Sequence, residues 1–268
     1  MDLNTIEEVL RPDSRAALPV FSGQDAFLAG GTWLFSEPQP GLRRLIDLQA
    51  QRWPSITLHA DGVEIAATCT LAELEARQWP ASWQASHLVR SCCRALLGSF
   101  KIWNTATVGG NICLALPAGP MTSLAAALDG VCTIWTPDGG VREMPACDFV
   151  IGERLTALRA GEILRAITLP ASALQRRSGF RQMSLTPNGR SAALLIAGRI
   201  GDGLLLTITA ATRHPVRLHF ARMPDGAELD AAIDAKVAVW HDDIHGAPDW
   251  RRHITHLAAR ELAVELAA

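Results

Sequence analysis

Short apolar runs punctuated by glycine, proline and aspartate recur through the first 170 residues, and this pattern is typical of strands joined by tight turns. One such run, Phe27-Leu28, leads directly into a pair of glycines. A hairpin is indicated where Pro137-Asp138-Gly139-Gly140 separates two further runs. The predicted strands cover residues 27–28, 45–48, 63–68, 131–136, 141–144 and 163–169.

Helical periodicity alternates with these strands. Thr70 and Glu73 have the spacing of a capping box, in which each side chain bonds to the backbone amide of the other residue, so a helix is expected to begin there. Apolar residues between 85 and 97 recur at helical spacing, and Gly98 follows as a terminator. The predicted helices cover residues 70–78, 85–97 and 117–129, with Pro120 in the first turn of the third.

Composition shifts at residues 171–178, which we take as the boundary of a second region. Three strand-like runs follow, near residues 179–185, 192–200 and 203–211. Gly201-Asp202-Gly203 predicts a tight hairpin between the last two. A C-terminal helix is expected with Asp249 as its N-cap. Its apolar stripe consists of Trp250, Ile254, Leu257, Ala258, Leu262 and Leu266.

The chain has 268 residues, of which 49% are hydrophobic, and a formal net charge of −2. This length allows one large domain or two modest ones with a well-buried core. The small net charge disfavours a nucleic-acid surface and a polybasic membrane anchor, and the apolar content excludes disorder. No apolar stretch approaches the roughly 20 residues of a membrane helix, and the first ten residues carry no basic residue of a secretory signal. We therefore expect a cytoplasmic protein without a membrane span.

Six cysteines are scattered along the chain, and none forms a C-x-x-C pair. A tetrahedral zinc site or an iron–sulfur cluster requires several thiolates at close loop spacing. We therefore expect no metal cluster in this chain. Most of the cysteines lie among alanine, leucine and isoleucine, which is typical of small buried hydrophobic residues.

Two glycine pairs carry the clearest chemical signal. Gly30-Gly31 is followed by Thr32, and Gly109-Gly110 is followed by Asn111, and both pairs are expected to lie where a strand runs into a loop. Glycine lets the backbone approach a ligand and turn consecutive amides toward an anion. Two such loops can clamp a pyrophosphate, although a glycine pair taken alone is more typical of a structural turn.

Other nucleotide-binding and hydrolytic motifs are absent from the sequence, which has no G-x-G-x-x-G, G-K-[ST], G-x-S-x-G or H-E-x-x-H. The histidine-rich segment 241–246 and the pair His253 and His256 have donors that suit a divalent ion. Such clusters are more often solvated or cap helices, so we assign no metal ligand.

The sequence resembles the FAD-binding medium subunits of the molybdenum hydroxylases, the group of carbon monoxide dehydrogenase, xanthine dehydrogenase and aldehyde oxidoreductase. The resemblance spans nearly the whole chain, and its combination of motifs is specific although each motif alone is not. The matching segments are residues 28–32, Asn104 with 107–112, 116–119, 161–164, 167–170, 242–246 and 249–253.

The resemblance implies an α+β fold in two parts. Residues 1–172 would form an FAD-binding domain of the vanillyl-alcohol oxidase type, with subdomains at about 1–53 and 54–172 and the cofactor between them. Residues 173–268 would form a C-terminal domain, which the family builds as a three-stranded antiparallel sheet with a helical bundle.

The resemblance also implies which residues bind FAD. Ala29, Gly30, Gly31 and Thr32 would bind the pyrophosphate region, and Thr107, Gly109, Gly110 and Asn111 would complete the clamp. Arg181 falls where relatives carry a basic residue near the flavin, and a positive charge there would stabilise the reduced, anionic flavin. No general base is assigned, because the redox chemistry belongs to the cofactor.

Three positions depart from the family pattern. Pro120 stands where relatives usually have an acidic residue that helps to hold the cofactor hydroxyls. Trp103 replaces an arginine that is common before Asn104, and residues 187–190 replace an R-x-x-D stretch.

The implied function is electron transfer within a molybdenum-containing dehydrogenase. A large partner subunit would hold the molybdenum–pterin cofactor, a small partner would carry two [2Fe-2S] clusters, and a dimer of such heterotrimers is expected. FAD in this chain would pass electrons to NAD, a quinone or oxygen. Two alternatives are a free-standing FAD-dependent reductase or oxidase on the same scaffold, and an assembly or interaction subunit without flavin.

Overall fold

The computed structural model describes residues 3–268, so the first two residues of the predicted N-terminal subdomain lie outside it. Its strands are β1 (Glu8–Leu10), β2 (Asp25–Leu28), β3 (Arg44–Asp47), β4 (Ile56–His59), β5 (Gly62–Ala66), β6 (Val131–Trp135), β7 (Val141–Pro145), β8 (Val150–Gly152), β9 (Leu155–Thr156), β10 (Ile163–Pro170), β11 (Ser178–Met183), β12 (Ala193–Ile200), β13 (Gly203–Thr209) and β14 (Val216–Phe220). Its α-helices are α1 (Leu71–Ala76), α2 (His87–Ala95), α3 (Phe100–Trp103), α4 (Val108–Leu114), α5 (Pro120–Ala127), α6 (Ala146–Phe149), α7 (Ala171–Leu174), α8 (Gly226–Lys236) and α9 (Pro248–Ala267).

The strands of residues 3–268 form four sheets. A parallel sheet at the N-terminus has the order β1-β3-β2, and an antiparallel sheet has the order β4-β5-β10-β6-β7. Strands β8 and β9 form a small hairpin, and β11 to β14 form an antiparallel sheet in sequential order. The result is a mixed α and β architecture, as predicted.

Local sequence signals located several elements correctly. Thr70 caps α1, and Glu73 bonds back to it, so the predicted capping box is confirmed. The hairpin of β6 and β7 is confirmed at residues 136–140. The helix expected at 117–129 begins later, because Gly119 is the N-cap and Pro120 occupies the first helical position.

Three expectations for the C-terminal region are wrong. The sheet has four strands rather than three, because β14 pairs with β13 along its whole length. Asp249 does not cap the last helix: the N-cap is Ala247, and Pro248 takes the first position, where its missing amide costs nothing. Leu257 is 43% exposed and lies off the buried stripe of α9.

Helix α5 lies at the centre of the molecule, and all eight of its residues are buried. It packs against α2 and α4 on one side and against β12 and β13 on the other. The Oγ of Ser123 lies 2.6 Å from the Oγ1 of Thr209, so a buried hydrogen bond joins α5 to the end of β13. A second link is the amide of Ala210, which donates to the carbonyl of Pro117 at 2.8 Å. Helix α5 therefore joins the helices α2 and α4 to the C-terminal sheet.

Arg251 joins the start of α9 to the C-terminal sheet, and it is only 1% exposed. Its guanidinium donates to the carbonyls of Gly246 at 2.8 Å, Ala192 at 2.6 Å and Ala210 at 2.7 Å. It also pairs with the carboxylate of Asp243. A buried cation is tolerated because these acceptors replace its hydration.

Between residues 3 and 268, no helix has both the length and the apolar composition that crossing a lipid bilayer would require.

Replacing Arg251 by methionine is expected to lower the free energy of unfolding by about 3–5 kcal/mol, because three carbonyls and a carboxylate lose their donor. Denaturant unfolding of both proteins measures the change. The neighbouring substitution Arg252→Met is the control, since the Arg252 side chain is 53% exposed in its pair with Asp234 and should contribute little to stability. Equal losses in the two variants would contradict the assigned role of Arg251.

Candidate functional site

The first glycine pair follows β2, which an ion pair fixes in place. Arg44 donates two hydrogen bonds to the Asp25 carboxylate, at 2.9 and 2.6 Å, and the amide of Ser22 adds a third at 2.7 Å. The Asp25 side chain is only 2% exposed. The guanidinium of Arg44 lowers the pKa of Asp25 to about 2, because it stabilises the charged form. This pair holds β2 against β3 and so positions the loop that follows.

The loop after β2 presents unpaired backbone amides. Five consecutive N–H groups, from Gly30 to Leu34, donate no hydrogen bond to any other residue between 3 and 268. Gly31 has a φ of +68°, which turns the chain so that neighbouring amides converge. Half-buried amides without an acceptor are costly, so this loop has the donor chemistry of an anion site.

Gly30 lies directly against the part of the chain that leads to the second glycine pair. A Cβ at this position would lie 1.8 Å from the carbonyl oxygen of Thr105 and 3.3 Å from the Cα of Ala106. No side chain therefore fits between the loop and the segment that leads to the second pair. Gly30 therefore contacts residues that lie just before the second pair, and a clamp formed by both pairs stays a prediction.

The second pair lies in a different setting from the one expected. Gly109 and Gly110 lie in the first turn of α4 rather than where a strand enters a loop. The amide of Gly109 donates to the carbonyl of Ala67 at 2.9 Å, and the amide of Gly110 donates to the Oγ1 of Thr107 at 3.0 Å. These amides are used within the protein. A Cβ on Gly109 would lie 2.3 Å from that of Ala67, so this glycine permits close packing.

Thr107 and Asn111 support this helix rather than stand free. Thr107 is 2% exposed and caps α4. The Oδ1 of Asn111 accepts a hydrogen bond from the amide of Met121 at 3.0 Å, which ties α4 to the first turn of α5. Pro120 has no amide hydrogen to donate, so Asn111 accepts its hydrogen bond from the next residue, Met121. Gly110 is exposed and Asn111 is half-buried, so both retain surface that a ligand can contact.

The departures from the family pattern have local explanations in two cases. The indole nitrogen of Trp103 donates to the carbonyl of Leu96 at 3.0 Å, and Arg94 stacks on its ring, so Trp103 closes the turn between α2 and α3. Pro120 begins α5 as described above. Arg190, at the end of the altered segment 187–190, is exposed.

Arg181 makes its side-chain contacts with the C-terminal helix rather than with the residues around the two glycine pairs. It belongs to β11 and forms ion pairs with Glu261 and Glu265 of α9, both at 2.8 Å. The hydrogen bond with Glu261 raises the pKa of Arg181, so its charge is firmly held. Within residues 3–268 it bonds to neither glycine segment. Its effect on a flavin stays a prediction.

Two further side chains border the free amides, and the sequence pattern pointed to neither. The Nε1 of Trp33 is buried without a hydrogen-bond partner in the described part of the chain. Arg154, from the turn between β8 and β9, lies 5.8 Å from the centre of the Trp33 ring. Trp33 directly follows Thr32, so it could have been predicted from the first glycine motif. Arg154 is distant in sequence, and only the fold brings it close to Trp33. Free amides, an unpaired indole N–H and a nearby cation fit a phosphate-bearing cofactor.

Two histidines of these clusters have acidic partners within the protein. His256 lies between two aspartates of α8, with Asp230 at 2.8 Å and Asp234 at 2.9 Å from its ring nitrogens. His241 lies 3.3 Å from Asp243, which also pairs with Arg251. Across the described residues, no group of three or more histidine, cysteine and acidic side chains is arranged to hold a metal ion.

Comparison with known families gives one match over most of this region. Residues 7–172 match the family described as the FAD binding domain in molybdopterin dehydrogenase. That span is more than half of the chain and contains both glycine segments.

Two kinds of relatives share sequence with the chain. It is 31% identical to a xanthine dehydrogenase from Oryza sativa over 122 residues, which is 43% of this chain but only 9% of that protein. It is 25% identical to the nicotinate dehydrogenase FAD-subunit of Eubacterium barkeri over 252 residues, which is 82% of this chain and 78% of the relative. The chain therefore spans a small part of the plant enzymes and most of the bacterial subunit.

Solved structures share the fold over the full length. One chain of carbon monoxide dehydrogenase from Oligotropha carboxidovorans superposes with a TM-score of 0.84 at 21% identity, covering 100% of this chain and 99% of that one. A chain of quinoline 2-oxidoreductase from Pseudomonas putida 86 gives a TM-score of 0.80 at 20% identity, covering 100% and 98%.

Replacing Gly30 by alanine is expected to lower the free energy of unfolding by at least about 2 kcal/mol, because a backbone carbonyl cannot move aside for the new methyl group. The same variant should bind less cofactor. Denaturant unfolding and the cofactor content of the purified protein measure the two effects. Gly41→Ala is the matched control, since nothing lies within 4 Å of its Cβ position. A fully stable Gly30→Ala protein would show that the two segments do not touch as described.

Replacing Asp25 by asparagine is expected to cost about 2 kcal/mol of unfolding free energy at neutral pH, because Arg44 loses its charged partner. A carboxylate whose pKa is lowered in the folded protein stabilises the fold at any pH above its ordinary pKa of 3.8. This stabilisation is lost as the pH falls through the lowered pKa of about 2. The difference between wild type and variant should therefore be constant above about pH 5 and shrink below about pH 4. Urea unfolding from pH 3 to 7 measures it, with the exposed Asp13→Asn as control. A difference that does not change with pH would refute the ion-pair explanation.

Proposed function

This chain belongs to the family of FAD-binding domains of molybdopterin dehydrogenases, and we propose that it is the electron-transferring flavoprotein subunit of a molybdenum-containing dehydrogenase. Its cofactor is FAD, and its relatives are oxidoreductases. The observation that carries the proposal is the row of five free amides beside a second glycine segment.

We propose that the cofactor pyrophosphate lies on the loop of Ala29, Gly30, Gly31 and Thr32. The free amides of this loop would bind its oxygens, and the hydroxyl of Thr32 would add a further donor. Thr107 and Gly109 would shape the opposite wall, since their polar groups serve α4. The exposed backbone of Gly110 and the side chain of Asn111 would contact the cofactor there.

FAD, when bound, supplies a carrier that can take up electrons singly and release them in pairs. The protein residues bind and orient it and limit the access of water. Trp33 and the buried segment around Ala106 supply apolar surface next to the amide loop, where hydrogen bonds to phosphate gain strength from the lower dielectric.

We propose that residues 1–172 form the FAD-binding domain, with subdomains at about 1–53 and 54–172 of the vanillyl-alcohol oxidase type, and that residues 173–268 form a C-terminal domain. The sheets support this division, because β1 to β3, β4 to β10 and β11 to β14 pair only within these ranges. The family match, which ends at residue 172, agrees with it.

We propose that this subunit works with a large molybdenum–pterin subunit and a small subunit with two [2Fe-2S] clusters, as a dimer of heterotrimers. Electrons would arrive from the clusters and leave to an external acceptor. The relative named as an FAD-subunit and the similar chains of molybdenum-containing carbon monoxide dehydrogenase support a multi-subunit enzyme. The substrate pocket would lie in the large subunit.

The visible spectrum of the purified protein, together with the chains that accompany it, tests this proposal. We expect a yellow complex of three different chains that contains iron and molybdenum. Assays with aldehydes, N-heterocycles and carbon monoxide would then identify its substrate. Removing FAD should lower the melting temperature, since a ligand at 100 times its Kd stabilises a protein by about 2.7 kcal/mol.

Two outcomes would contradict the proposal. A yellow protein that is active without partners would indicate a free-standing reductase or oxidase. A colourless protein that binds no added FAD would indicate an assembly or interaction subunit.

A further inference from the structure

We propose that Arg154 binds the cofactor pyrophosphate and completes the anion site formed by the free amides of Gly30 to Leu34. This inference rests on the proposed function and adds a residue to its binding site. Three features of Arg154 support this role: the anchor of its backbone, the few contacts of its side chain, and its backbone conformation.

The backbone of Arg154 is anchored to the helix that carries the second glycine pair. Arg154 lies in the turn between β8 and β9, and its amide donates to the carbonyl of Ala115 at 2.8 Å. Ala115 is the C-terminal cap of α4. The guanidinium extends from this anchor to the ring of Trp33, within the amide loop, at 5.8 Å. Arg154 therefore connects the two walls of the proposed FAD site.

The guanidinium of Arg154 is close to the loop but not committed to a partner. Its nearest carboxylate oxygen, on Glu37, is 3.8 Å away, and its side chain is 55% exposed. Within residues 3–268 it makes no hydrogen bond, so its five donors are available. By contrast, Arg44 and Arg142 each donate at least two hydrogen bonds to one carboxylate. An exposed contact at 3.8 Å contributes little to folding, which leaves the side chain free to turn toward an anion.

The backbone conformation of Arg154 indicates that folding alone does not explain this residue. Its φ is +56°, in the left-handed region that favours glycine. A side chain at such a position is strained, and such strain concentrates at ligand-binding sites. Arg52 has a similar φ of +50°, but there the conformation closes a short helix at residues 48–51. The two arginines share the strain and differ in their surroundings.

The chemistry of the site suits a pyrophosphate. The amides offer partial positive charge in fixed directions, but they carry no net charge to balance two phosphates. A guanidinium adds a full charge and a planar fork that matches two phosphate oxygens. Glu37 would release Arg154 when the more highly charged pyrophosphate takes its place.

The test uses the full-length chain in its native complex, stripped of FAD and titrated with FAD or with riboflavin, which has no phosphate. Arg154→Gly should weaken FAD binding about tenfold, as expected for losing a charged hydrogen bond, and leave riboflavin binding unchanged. Its melting temperature without FAD should rise by about 1–4 °C, because glycine relieves the strained φ. Arg154→Lys should recover part of the lost affinity.

Arg52→Gly is the matched control, and it should gain stability without any change in FAD affinity. The proposal is overturned if Arg154→Gly binds FAD as wild type does, or if FAD and riboflavin binding fall together with the melting temperature, which would indicate a structural role. If the wild-type complex binds no FAD at all, the proposed function fails instead, so the two failures are distinguishable.

Discussion

The close approach of Gly30 to the carbonyl of Thr105 is the contact on which the candidate site depends. The loop after β2 belongs to the parallel sheet at the N-terminus, and Thr105 belongs to the segment that enters α4. These parts meet only because residue 30 has no side chain. Their contact sets the direction of the loop amides and places Trp33 near the turn that carries Arg154. The ion pair of Asp25 and Arg44 holds β2, and with it the loop, in the same register.

The two glycine pairs look alike in sequence but do different work in the structure. The first leaves its amides free, since those of Gly30 to Leu34 donate no hydrogen bond within residues 3–268. The amides of the second pair donate to the carbonyl of Ala67 and to the Oγ1 of Thr107. The bond to Ala67 fixes the start of α4 against the end of β5. Sequence motifs identify where the backbone must be unhindered. They do not tell whether the reason is a ligand or a close packing contact.

The predictable features were those that local chemistry determines. The capping box of Thr70 and Glu73, the hairpin around Gly139 and the glycine turn after β2 depend on residues a few positions apart. Features that depend on distant contacts were not predictable. The amide of Gly109 bonds to the carbonyl of Ala67, which is distant in sequence, and Arg154 meets Trp33 only through the β8–β9 hairpin. Strand β14 was missed although its residues Val216–Phe220 alternate between apolar and polar, which is the local pattern of a half-buried strand.

Helix α5 has a consequence for how the protein unfolds. Its residues lie within the part of the chain that matches the family, yet one of its sides is covered by strands from beyond residue 172. A fragment that ended at this boundary would expose that side of α5 to water, together with the hydroxyl of Ser123. The end of the family match at residue 172 therefore does not separate two independent folding units. The two parts should unfold in a single transition rather than one after the other.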